Sequence, residues 1–128
     1  MTEAEHRITV TPYEGTVNVR FSDAMIASTD EALVLREEGH EPVFYIPFDH
    51  IYFEFLPPSD TRSRHPFKGE ARFWNVEAVG EAADDVMWAY ETPDDRVRPI
   101  AGHGAFDPDK VTIEATPDES PRESTELA

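Results

Sequence analysis

Apolar residues in this chain recur at every second position, and that rhythm calls for extended backbone rather than helix. Ile8 and Val10 alternate with Arg7, Thr9 and Thr11, and Val17, Val19 and Phe21 alternate with Thr16, Asn18 and Arg20. Side chains in a strand point to opposite faces in turn, so each run has one greasy face and one wet face. Ser22-Asp23 predicts a turn that folds the second run into a hairpin with Met25-Ile26-Ala27-Ser28. Ala32 to Leu35 is the next extended stretch, ended by Glu37-Glu38-Gly39, and Val43 to Ile46 is a short strand held between Pro42 and Pro47. Ile51, Phe53 and Phe55 alternate with Tyr52 and Glu54, which predicts an amphipathic strand. The proline- and charge-rich stretch 57–69 reads as a loop. Strands follow at 71–79 and 86–90, and Val111 and Ile113 close the ordered part.

No window offers an amphipathic helix of three turns, and eleven prolines with many β-branched and aromatic residues argue the same way. One helical turn fits near Pro47-Phe48-Asp49. The expected fold is mainly β: a single compact antiparallel domain with little helix, as a small barrel, sandwich or folded sheet. Closing or folding the sheet would also hide its edges. At 128 residues there is enough chain for one domain with a real core. The expected boundaries are a flexible N-terminus over 1–6, the β domain over 7–115 and a disordered acidic tail over 116–128. The tail lacks the apolar residues needed to offset ordering entropy.

Charge narrows the partners. Eleven Lys and Arg against 27 Asp and Glu leave a net charge of −16. That argues against nucleic acid or an anionic membrane as partner. Only Lys68 and Lys110 are lysines. An acidic, lysine-poor surface points to a halophilic source, and the competing reading is an ordinary acidic surface and tail. Residues 1–7 carry no apolar targeting segment, and no apolar run nears the ~20 residues of a membrane helix. A soluble cytoplasmic protein, monomer or homodimer, is the expectation. Cysteine is absent, so disulfides and thiolate metal sites are excluded. The five histidines show no HxH or HxxxH spacing, and no metal site is expected.

Three segments are chemically loaded. Residues 60–72 hold Arg62, Arg64, Lys68 and Arg72 against Asp60 and Glu70, a positive island in an acid body. Arginine forks and a lysine point charge suit a carboxylate or phosphate; pairing with neighbouring acids is the plainer alternative. Gly69 would let backbone approach a ligand. Trp74, Trp88 and Tyr90 serve either as core or as the wall of a small-molecule pocket. His103, between Gly102 and Gly104, is either structural or an acid–base group. Asp60, beside the island, is either a turn residue or a catalytic carboxylate. No Walker, GxGxxG or GxSxG pattern occurs.

Together these segments resemble a known family. Pro42-Val43-Phe44-Tyr45-Ile46-Pro47, Ser59-Asp60-Thr61, Pro66-Phe67-Lys68-Gly69-Glu70-Ala71 with Phe73-Trp74, Trp88-Ala89-Tyr90 with Pro93, Ile100-Ala101-Gly102 and Ala105-Phe106 are similar to the domain of unknown function 427 family, over about residues 8–114. The resemblance implies a β-tent fold related to methionine sulfoxide reductase B. It implies no established activity. A nucleotidyltransferase label is sometimes attached to the family, but this chain lacks the paired aspartates after a Gly-Ser turn that two-metal transferases need. The cysteines that hold zinc in the reductase relatives are missing here. Where family members often carry cysteine before the Pro-aromatic-Lys-Gly motif, this chain has His65.

The resulting expectation is a domain that binds a small anionic or polar metabolite. Arg62, Lys68, Trp74, Trp88 and Tyr90 are its ligand-binding candidates, and Asp60, His65 and His103 its catalytic candidates, with no cofactor assigned. The alternative is a non-catalytic interaction or dimerisation module. Convergence of these side chains in one hollow separates the two.

Overall fold

The computed structural model describes residues 7–66 and 68–118. Ten strands run in the order β1 (Ile8–Pro12), β2 (Gly15–Phe21), β3 (Ala24–Thr29), β4 (Leu33–Glu37), β5 (Val43–Pro47), β6 (Pro58–His65), β7 (Gly69–Ala78), β8 (Glu81–Tyr90), β9 (His103–Phe106) and β10 (Thr112–Pro117). They form a seven-stranded sheet, ordered β1-β4-β5-β9-β8-β7-β6, and a three-stranded sheet, ordered β10-β2-β3. Every pairing is antiparallel. The domain is mainly β and poor in helix, and the large sheet curls without closing into a barrel.

The alternation along β2 plays out as expected: Gly15, Val17, Val19 and Phe21 are buried while the residues between them are half-buried. This face meets the large sheet across the main core, with Ile26, Ile46, Trp74, Met87 and Phe106 among the buried residues. Fully burying one such aliphatic side chain is worth about 1.5–3 kcal/mol, so this cluster dominates the fold's stability. The other face of the large sheet forms a second, smaller core with Leu35, Tyr45, Ala71, Tyr90 and Ala105. Val97 and Ile100, from a 3-10 segment at Asp95–Ile100, cover that face. The Asp94 side chain caps this segment by accepting from the Arg96 amide at 3.0 Å.

Two segments differ from the sequence expectation. Residues 51–55 do not form a strand. The chain makes 3-10 turns at Phe48–His50 and Phe53–Phe55, with Ile51 joined to Ala27 only by an isolated bridge. Here aromatic packing takes the place of a ladder: Phe48 packs edge-on to Phe53 and to Trp74, and Phe53 lies tilted against Trp74. The turn expected near Pro47-Phe48-Asp49 is the first of these. Conversely, 57–69 is not a loop, because Pro58–His65 is a strand. As the sheet's last strand, with most residues exposed, it carries no hydrophobic alternation to read. Its charges and its opening proline are what an unpaired edge tolerates.

β7 and β8 join through Val79-Gly80, both at positive φ (50° and 75°), flanked by the Ala78–Glu81 pair. That is a tight hairpin turn in which glycine is at ease and valine is strained. β10 continues through Thr116 and Pro117, which pair with Thr16 and Gly15, two residues into the stretch expected to be tail. The expected flexible 1–6 and the remainder of the expected tail, 119–128, lie outside the described residues.

Candidate functional site

Register decides which side chains meet. Leu33, Leu35 and Glu37 share one face of β4, and pairing carries that face to Tyr45 on β5, through Ala105 on β9, to Trp88 and Tyr90 on β8. Glu37 thus stands at an inward position where the pattern calls for an apolar residue. Its side chain is only 6% exposed. The curl of the sheet brings the β6–β7 hairpin, from the far end, against it. Lys68 Nζ donates to Glu37 Oε1 at 2.9 Å, with the lysine side chain 11% exposed. The Nε2 atoms of His65 and His40 each lie 3.9 Å from Glu37 Oε2. His65 is 29% exposed and His40 63%, against 6% for Glu37.

Two phenols complete the cluster. Burial pushes the Tyr45 hydroxyl well above its ordinary value of 10.0; the Trp88 indole N–H pulls the other way, and the charges of Tyr90 and Glu37 add to the rise. Tyr90 is raised in the same way, by burial first and the Glu37 charge second. Both phenols therefore remain protonated donors across the neutral range. Between Tyr45 and Trp88 the register places Ala105, whose methyl leaves room for the indole to reach across.

The remaining candidates lie elsewhere. Arg62 pairs with Arg72 across the β6–β7 ladder, one residue out of phase with Ser63 and Ala71, so the two arginines occupy the face away from Glu37. There they line a groove of about 300 Å³ with Glu70, Glu91 and Thr92. Arg72 donates to Glu91 at 2.8 Å and lays its guanidinium 5.0 Å over the Trp74 ring. Arg62 donates to the backbone carbonyls of Ser59 and Thr61. Trp74 itself is buried in the main core. Asp60 is exposed on β6. The carboxylate that holds that strand is Asp85, which accepts from the hydroxyls of Ser59 and Thr61 at 2.6 and 2.8 Å. His103 contacts the Ala101 carbonyl at 2.9 Å through Nδ1. Gly69, at φ +96°, closes the hairpin, and a Cβ there would stand 3.2 Å from the Thr92 carbonyl; the approach it permits is to backbone.

The cluster thus joins His65, Lys68, Trp88 and Tyr90, and adds Glu37 and Tyr45, which sequence reading did not select. A larger hollow of about 530 Å³ beside the β7–β8 turn has no Lys, Arg or His among its described lining residues.

The model of the domain of unknown function family DUF427, named NTP_transf_9, matches residues 9–116. The chain belongs to this family. No curated protein matches it. As a DUF427 domain it contains, within the matched stretch, every member of the Glu37 cluster. None of the helices among its described residues is long and apolar enough to cross a membrane.

Proposed function

We propose that this DUF427 domain binds a small polar or anionic ligand at the Glu37–Lys68 cluster. The observation that carries the reading is a nearly sealed ion pair at 2.9 Å, ringed by two phenols, an indole and histidines from separate strands. A buried ion pair is a poor device for stability, since apolar residues of similar volume often serve as well or better. Its better-argued use is recognition. Lys68 has donors beyond the one given to Glu37, and two protonated phenols add more. A protonated His65 would supply a second positive charge for a carboxylate or phosphate. His65 is also the one of the three acid–base candidates within the cluster.

The test is a thermal-shift screen in high salt against phosphorylated and carboxylated metabolites. A ligand raises the melting temperature by mass action. Lys68→Ala abolishes the rise, and so does His65→Ala, a milder change at a partly exposed position. A hit undiminished in both variants would assign the ligand to another site.

A second reading, an interaction module, draws on β6. It is an eight-residue edge strand with most of its residues exposed, open to strand addition by a partner or a second copy. Sedimentation of the intact protein over a concentration series tests it, a single monomeric species counting against it. We also infer a salt-rich cytoplasmic setting from the net charge of −16.

A further inference from the structure

We propose that the groove at the end of β9 is a second site, for a small organic cation of the quaternary-ammonium class. The proposal goes beyond the Glu37–Lys68 reading and does not depend on it.

The groove follows from where β9 stops. Phe106 is its last residue, and Asp107-Pro108 turns the chain away. The Asp107 carbonyl accepts the amides of Lys110 and Val111 at 3.0 and 3.1 Å, and Lys110 Nζ holds the Asp84 carbonyl at 2.8 Å. Proline lacks the amide that would continue the ladder. Beyond Phe106, therefore, β5 and β8 have no strand between them, and a hollow of about 380 Å³ opens there. Its lining includes Val43, Phe44, Trp88 and Phe106, with Ile113 contributed by the other sheet. The volume and the mostly apolar lining are those of a small-ligand pocket.

Two features select the ligand's charge. Three of the lining side chains are aromatic, and an aromatic face attracts a cation through its quadrupole. Glu41, at the rim, is the one charged residue among those described as lining it. A compact cation with an apolar coat satisfies both, since its methyl groups replace water against the rings while its charge faces the carboxylate. A metal ion or simple ammonium would lose its hydration shell there without polar replacements. An anion would face Glu41. The occupant is a free solute: at a net charge of −16 the chain is repelled by anionic membrane surfaces, and the zwitterionic headgroup is addressed by the vesicle arm of the test.

The probe is choline, set against its neutral carbon isostere 3,3-dimethylbutan-1-ol. Both are titrated into the full chain at fixed ionic strength and followed by amide and indole NMR shifts. Choline is expected to move Val43, Phe44, Ile113 and the Trp88 indole N–H. The isostere should bind about tenfold more weakly, the size of a cation–π term in a partly desolvated site. Glu41→Gln, at an exposed position, should weaken choline severalfold, leave the isostere unchanged and preserve the rest of the spectrum. Equal binding of the two probes, choline binding unaffected by Glu41→Gln, or shifts confined to other residues would each overturn the proposal. So would association only with phosphatidylcholine vesicles and not with free choline. Because Trp88 also borders the Glu37 cluster, shifts at Val43, Phe44 and Ile113 without shifts at His65 and Lys68 are what separate the groove from that site.

Discussion

Replacing Lys68 with methionine keeps the unbranched stem of the side chain and removes its ammonium. Glu37, 6% exposed, then keeps its charge without the partner it has at 2.9 Å, beside two phenols that stay neutral. Breaking a buried pair from one side typically costs 3–5 kcal/mol. The remaining exposure of Lys68, 11%, puts the expected loss at the lower end, about 3 kcal/mol. In a domain of this size that lowers the melting temperature by roughly 10 °C. Adding Glu37→Leu to Lys68→Met should recover much of the stability, because a hydrophobic pair needs no compensation. The assay is urea unfolding of the parent, the two single variants and the double variant, closed as a double-mutant cycle. A Lys68→Met cost below about 1 kcal/mol, or single-variant costs that simply add, would mean a solvent-screened surface pair and would refute the reasoning.

Other expectations are shorter. Tyr45 and Tyr90 are raised in the fold, so the stability they contribute is intact below 10.0 and drains away as pH climbs through the raised values; alkaline unfolding followed by circular dichroism should move to higher pH in Tyr45→Phe. Val79 occupies a positive-φ turn position while 57% exposed, so Val79→Asn relieves strain without losing packing. It should add about 1 kcal/mol in urea unfolding; no gain would mean the turn holds valine without strain. Repulsion at −16 net charge should make the melting temperature rise between roughly 0.1 M and 2 M KCl, and a flat calorimetric profile would count against the salt-adapted reading.

What the sequence discloses depends on whether one face of an element is buried. Val17, Val19 and Phe21 show their strand because the core takes alternate residues. Pro58 to His65 conceals its strand because that edge has little buried on either side. Within the cluster, Lys68 and His65 stand out as basic groups in an acid chain, and Trp88 and Tyr90 as paired aromatics. Glu37 does not, being one acid among 27. Its signal was position: it continues the period of Leu33 and Leu35, an acid in an inward slot. Arg62 and Lys68 are six residues apart, and only the hairpin register reveals that they serve opposite faces.

The curled sheet has a further consequence for its motion. Its end strands, β1 and β6, are not backbone partners. Lys68 and His65 of the β6–β7 hairpin meet Glu37 of β4 through their side chains. The curl is therefore held by a buried ion pair as well as by the second apolar core, and the ion pair sits at the edge hairpin. Hydrogen exchange at Lys68 and Gly69 should then run ahead of exchange in the middle of β7 and β8, and quicken further in Lys68→Met.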